Sequence, residues 1–220
     1  MKRAQLRRML YEGLKPEMPE LTVCDEMICV TPVNSILRGV VISPFLRSRH
    51  LRVATFARPL FCPDAGYMGA ASTVAWGILR NDVWHFDEIE NPRVFQRLLR
   101  ITQRKVRRLS LVDTPERLAK NYLWVFGRRV TGWDWLRIGL CYAHAERYDK
   151  AGKILRRKVL TWKAHPEIRA KIESIAVPVL EAIKSEKHEQ LREQFAKWEE
   201  AAIVEFRSVG ANLNVLYKAT

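Results

Sequence analysis

The chain has 220 residues, 48% hydrophobic and 28% charged, a balance that suits a core-forming protein and excludes an intrinsically disordered one. Lys and Arg total 38 against 24 Asp and Glu, a net charge of +14, which favours anionic partners: nucleic acid, acidic protein or anionic lipid. The excess is uneven, with 22 basic and 12 acidic residues in 1–130 against 16 and 12 in 131–220.

No apolar run approaches the length of a membrane span. The basic start MKRAQLRRMLYEGLK has no apolar core behind it and does not read as a secretory signal. The four cysteines, at 24, 29, 62 and 141, lack the CxxC spacing of a zinc site. These features predict a cytoplasmic protein with free thiols, no metal and no cofactor.

In chain order, residues 2–13 predict a short helix with Leu6, Leu10 and then Leu14 on one side. Three apolar runs rich in β-branched residues follow, at 21–31, 35–43 and 50–58. Their connectors are too short for a crossover, which predicts an antiparallel meander. In the third run Leu51, Val53, Thr55 and Ala57 alternate with Arg52, Ala54, Phe56 and Arg58, which predicts a strand with one basic, wetter face. Residues 59–73 read as a loop, 72–79 as a fourth strand, and 83–89 as a fifth strand or short helix.

From Asn91 the pattern turns helical, with Asn91 as N-cap and Pro92 at the first helical position. Thr114-Pro115-Glu116 opens another helix in the same way. Further helices are expected near 133–145, 148–162, 166–184 and 186–207, with Pro178 kinking the third of these. Residues 211–217 read as a terminal strand. Strands first and helices later make an α+β fold. An N-terminal antiparallel β-meander, in a β-rich part at about 15–90, would pack on a helical region at about 91–208 in a single compact domain.

Within the helical part, residues 131–164 carry Trp135, Ile138, Gly139 and Tyr142, then Tyr148, Ala151 and Leu155. This spacing resembles one tetratricopeptide repeat, a pair of antiparallel helices. Glu146 and Lys158 stand where small residues are usual, and Pro166 comes slightly late. A shift of about 34 residues in either direction finds no second match. The resemblance implies that the first helix lines a concave, peptide-binding groove through Trp133, Leu136, Leu140 and Ala143. These are apolar and lack the Lys, Arg and Asn set that holds a peptide carboxylate. A lone repeat cannot bury its own apolar face, so packing against the rest of the chain is expected and the hairpin reads as a scaffold.

The second constellation is NPRVFQRLLRITQRKVRRLS, at 91–110. At about 100° per residue, Arg93, Arg97, Arg100, Arg104, Arg107 and Arg108 fall within an arc of about 100°. Phe95, Leu98, Leu99, Thr102, Val106 and Leu109 lie opposite. No acidic residue interrupts 91–112. A merely solvated helix face usually mixes signs, because like charges at i,i+4 repel. Either Asp82, Asp87, Glu88 and Glu90 just upstream neutralise the stripe, or an external anion does. A guanidinium fork donates bidentately to phosphate or carboxylate. A smaller basic row, Lys150, Lys153 and Arg157, lies on the second hairpin helix, and Arg47, Arg49 and Arg52 cluster near a strand start. No signature of an RNA-recognition or zinc-finger module is present.

The densest acid–base cluster is WHFDEIE, at 84–90. His85 and Asp87 would share one side of a strand, with Glu88 beside them, and a metal-dependent nuclease uses such groups. The spacing matches no catalytic motif, and no GxSxG, HExxH or phosphate-cradling Gly-rich loop occurs. The sequence therefore predicts a non-enzymatic binding protein whose arginine-rich helix faces an anionic macromolecule, either an acidic protein or a nucleic acid. The alternatives are a metal-dependent nucleic-acid-processing enzyme using His85, Asp87 and Glu88, and a structural subunit whose arginine face is buried in an oligomer.

Overall fold

Five strands pair in chain order, each antiparallel to the next, and helices follow them, an α+β arrangement. The computed structural model describes residues 3–24, 27–31, 33–45, 50–63, 82–85, 87–126 and 131–208. The expected strands at 72–79 and 211–217 lie outside the described residues. Helix α1 (Arg3–Leu14) buries Leu6, Leu10 and Leu14 at the expected spacing.

The apolar run at 21–31 is two strands rather than one. Strands β1 (Leu21–Cys24) and β2 (Met27–Val30) pair with Cys24 opposite Met27, so the run folds back on itself. The sequence break is Asp25-Glu26, two acidic residues between two apolar stretches. Strands β3 (Ile36–Phe45) and β4 (His50–Pro59) form a long pair, from Ile36 opposite Pro59 to Phe45 opposite His50. Strand β5 (Asp82–His85) adds to the start of β4, and Glu88–Glu90 then makes a short 3-10 turn.

The two faces of the sheet are both covered. Ile28, Val30, Ile36, Val40, Ile42, Leu51, Val53 and Ala57 join the main apolar cluster, which continues through the helices. Met27, Cys29, Leu37, Val41, Ala54 and Phe56 form a second cluster with Ala202 and Ile203 from far along the chain. The β4 face expected to be basic and wet is therefore buried from Ala54 onward, with Phe56 inside and Arg58 only 3% exposed, while Arg52 stays half-exposed. A distant helix covers it, which alternation within the strand cannot show. Gly39 meets this tight packing directly, since a Cβ there would lie 2.2 Å from the Ile28 carbonyl oxygen.

Helix α2 (Pro92–Arg107) begins as expected. The Arg93 N–H donates to the Asn91 side chain at 2.9 Å, and Pro92 occupies the first turn. A 3-10 stretch (Arg108–Val112) leads to α3 (Pro115–Phe126), where the Arg117 N–H donates to the Thr114 hydroxyl at 3.3 Å. Helix α4 (Gly132–His144) opens on a capping box between Thr131 and Asp134. Helix α5 (Tyr148–Ile154) folds back on α4 and widens into a π turn (Leu155–Val159). A Cβ at Gly139 would lie 2.6 Å from Leu155, so glycine permits the close approach. Leu136, Leu140 and Ala143 are buried, and Trp133 packs against the core, as expected of packing rather than an open groove.

Helices α6 (Pro166–Lys184) and α7 (His188–Ser208) follow. Helix α6 runs through Pro178, which faces solvent, so the carbonyl that loses its partner is not sealed in the core. The turn between α6 and α7 repeats that between α4 and α5. Glu146 has φ of 58° and Glu186 has φ of 54°. The Arg147 N–H donates to the Tyr142 carbonyl at 2.8 Å, and the Lys187 N–H to the Ala182 carbonyl at 2.9 Å. Tyr148 and His188, forty positions apart, stack with centroids 3.9 Å apart. A shift of about 34 residues misses this recurrence because α6 has 19 residues against 13 in α4, which sets the two turns forty positions apart.

At the α3–α4 junction the buried Tyr122 hydroxyl donates to Asp134, which also lies 3.6 Å from Arg137. Burial, and then the Asp134 charge, push the Tyr122 phenol above its ordinary range. A folded pKa above the unfolded one gives stability that is complete below about pH 10 and lost as pH rises beyond it. Tyr122→Phe should lower the neutral-pH stability by about 1.5 kcal/mol. It should also flatten the alkaline loss, without abolishing it, because burial raises Tyr142 and Tyr148 as well. Urea midpoints at neutral and alkaline pH check both effects, and an unaltered alkaline slope would contradict them. In the same assay Gly39→Ala should destabilise by about 1–3 kcal/mol, since its neighbour is backbone. Gly152→Ala meets only the flexible end of Arg156 at 3.4 Å and should stabilise by about 0.5–1 kcal/mol.

Candidate functional site

One face of α2 is pinned in the core. Phe95, Leu98, Leu99, Thr102 and Val106 are buried, and the Thr102 hydroxyl donates to the Leu98 carbonyl at 2.9 Å within the helix. The Gln103 side-chain amide donates to the Gly13 carbonyl at 3.2 Å and ties α2 to α1. With that side fixed, Arg93, Arg97, Arg100, Arg104, Arg107 and Arg108 are all exposed.

Their partners differ. Arg107 pairs with Glu17, just after α1, rather than with the acidic residues at 82–90. Arg97 lies over the Trp84 ring, 6.0 Å from its centroid, and Arg100 donates to the Gln96 carbonyl at 3.4 Å. Among the described residues no carboxylate pairs with Arg93, Arg97, Arg100 or Arg104. Asp87, Glu88 and Glu90 are exposed at the 3-10 turn without neutralising these four, and the Asp82 side chain lies outside the described residues.

Elsewhere this surface pairs its charges. Arg8 meets Glu12 at 2.9 Å, Arg117 meets Asp113 at 2.9 Å, and Arg169 meets Glu173 at 2.7 Å. Arg192 bridges Glu146 at 2.9 Å and Glu189 at 2.7 Å. Such exposed pairs contribute little to stability. At these places carboxylates meet the cations, whereas along most of α2 they do not.

The smaller basic row behaves differently along its length. Lys150, Lys153 and Arg157 are all exposed. The Lys150 ammonium lies over Tyr142, 5.5 Å from the ring centroid, near Glu116. Glu116 itself is 2.9 Å from Lys120 and 3.6 Å from Arg147, and the Lys120 hydrogen bond leads in holding its carboxyl below the usual range. Lys153 and Arg157 have no carboxylate partner among the described residues. Arg156 and Lys163, not singled out by helical spacing, are also exposed there. Arg47 and Arg49 lie outside the described residues, and burial lowers the pKa of the half-exposed Arg52.

The acid–base cluster is not strand-borne as expected. Strand β5 ends at His85, and Asp87 sits in the following turn, 3.7 Å from the His85 imidazole, with Glu88 in the 3-10 turn. Among the described residues no three His, Cys, Asp or Glu side chains gather where they could hold a metal. Cys29, Cys62 and Cys141 are buried and form no disulfide, and burial pushes Cys141 well up, away from the reactive thiolate. No helix among the described residues is long and apolar enough to cross a membrane.

Comparison with protein-family profiles, with curated proteins and with solved structures found no match.

Because the bare guanidinium groups repel one another, replacing Arg100 and Arg104 together by Gln should leave the urea midpoint unchanged, or raise it, at low salt. A marked fall would reveal internal partners.

Proposed function

We propose that the chain is a non-enzymatic binding protein that docks an anionic macromolecule, an acidic protein or a nucleic acid, on the arginine face of α2. One observation carries this reading. Arg93, Arg97, Arg100 and Arg104 stand exposed in a row, without carboxylate partners among the described residues, on a helix whose opposite face is locked in the core. Repulsion along the row is relieved when phosphates or carboxylates arrive from outside. The guanidinium fork suits both, through two parallel hydrogen bonds.

The α4–α5 hairpin, read as tetratricopeptide-like, serves as scaffold, since its apolar positions go into the core. The enzymatic alternative on His85, Asp87 and Glu88 has less support, because no third metal ligand gathers beside them among the described residues.

The test is a triple charge reversal, Arg97→Glu with Arg100→Glu and Arg104→Glu, with circular dichroism as fold control. Affinity for heparin, short duplex DNA and polyglutamate is measured for both proteins. Affinity for at least one of these polyanions should fall by about tenfold or more. Unchanged affinity for all three in a folded variant would overturn the reading. So would an oligomer in native mass spectrometry that the reversal dissolves, which would make the stripe a subunit contact.

A further inference from the structure

Helix α5 ends in a π turn, and the basic row continues through it. The Leu160 N–H donates to the Leu155 carbonyl at 3.0 Å, the five-residue reach that defines the wider turn. Leu155 and Val159 are both buried, whereas Arg156, Arg157 and Lys158 between them are all exposed. Three consecutive residues of an ordinary helix sweep about 200°, and a core-facing stripe takes at least about 100° of the circle. Leu155 and Val159, four residues apart, lie only about 40° from one another at helical spacing, so both face the core while the intervening cations take the water side. Lys158 then rests over Trp135, 5.6 Å from the ring centroid. Just past the turn, Trp162 packs so close to Gly132 that a Cβ there would lie 2.0 Å from the indole.

From Lys150 to Pro166 the sequence holds no acidic residue. Lys153, Arg156, Arg157 and Lys163 are exposed and have no carboxylate partner among the described residues. This stretch repeats on a second element what the arginine face shows on α2. Both surfaces also share an omission. The exposed residues of α2 are Arg and Gln after the first turn, and those of the π-turn region are Lys, Arg and Thr, with no exposed apolar side chain in either. A protein–protein interface depends on desolvated apolar and aromatic anchors and depletes charge from its centre. A surface that follows a phosphate backbone needs neither: it is strongly positive and draws affinity from counterion release.

We infer that the π-turn surface of Lys153, Arg156, Arg157 and Lys163 is a second phosphate-contacting site, and that its anionic partner, like that of α2, is a nucleic acid. This rests on the reading of α2 as an anion-binding face and narrows its partner. Contact is with the backbone, so recognition is independent of base sequence.

The test uses the full chain and fluorescence anisotropy with two probes, short duplex DNA and single-stranded RNA, from about 50 to 200 mM salt. Three proteins are compared: wild type, the α2 variant Arg97→Gln with Arg100→Gln and Arg104→Gln, and the π-turn variant Arg156→Gln with Arg157→Gln and Lys163→Gln. Each variant should lower the slope of log affinity against log salt, by about 0.9 per lost contact on duplex and about 0.7 on single strands. The probe bound with the higher wild-type affinity at the same salt identifies the preferred form. Loss in the α2 variant with wild-type behaviour in the π-turn variant would overturn this inference and leave the α2 reading standing. No loss in either variant would overturn both. Binding to polyglutamate or anionic vesicles but not to either nucleic acid would overturn the assignment of partner.

Discussion

Phe95, Leu98, Leu99 and Val106 hold α2 in the core, and this anchoring decides where the arginines point. Turning the helix far enough to shelter the stripe would lift these side chains into water, at about 1.5–3 kcal/mol each. It would also bring guanidinium groups into a low-dielectric interior without partners, which costs more still. The charge pattern therefore does not choose its own orientation; the apolar face chooses it. Repulsion along the row remains as a surface term, softened by water and by salt over a Debye length of about 8–10 Å.

The same logic runs through the helical hairpin. Gly139 lets α4 and α5 approach closely, Leu155 fills the contact, and Val159, four residues on, follows it into the core. Arg156, Arg157 and Lys158 are then displaced outward by packing. In both places apolar contacts determine the geometry and leave cations exposed as a consequence. The paired surface around Arg192, Glu146 and Glu189 shows the contrary arrangement, in which acidic residues from neighbouring turns meet the cation.

Much of this was legible where physical signals are local. Asn91 and Pro92 mark the start of α2 because a cap and a fixed φ act within one turn. The arc of arginines follows from helix geometry alone. The spacing of Trp135, Gly139, Tyr142 and Ala151 located the α4–α5 hairpin. Nonlocal features were hidden. The run at 21–31 looked continuous because Cys24 and Met27 are both apolar on either side of a two-residue break. The buried face of β4 depended on Ala202 and Ile203, which no strand pattern can announce. Glu17 was not foreseen as the partner of Arg107, since the pair forms only when α1 packs beside α2. The second basic surface left a trace, the absence of acidic residues between Lys150 and Pro166, of which helical spacing picked out only Lys150, Lys153 and Arg157.

The most direct measurement is nuclear magnetic resonance of the arginine side-chain Nε–Hε groups during titration with a short nucleic acid. Arg93, Arg97, Arg100 and Arg104 should show the largest shifts and slowed solvent exchange, with Arg107 moving less because Glu17 already holds it. Saturable binding that perturbs other arginines and leaves those four unmoved would contradict an arginine-face site on α2.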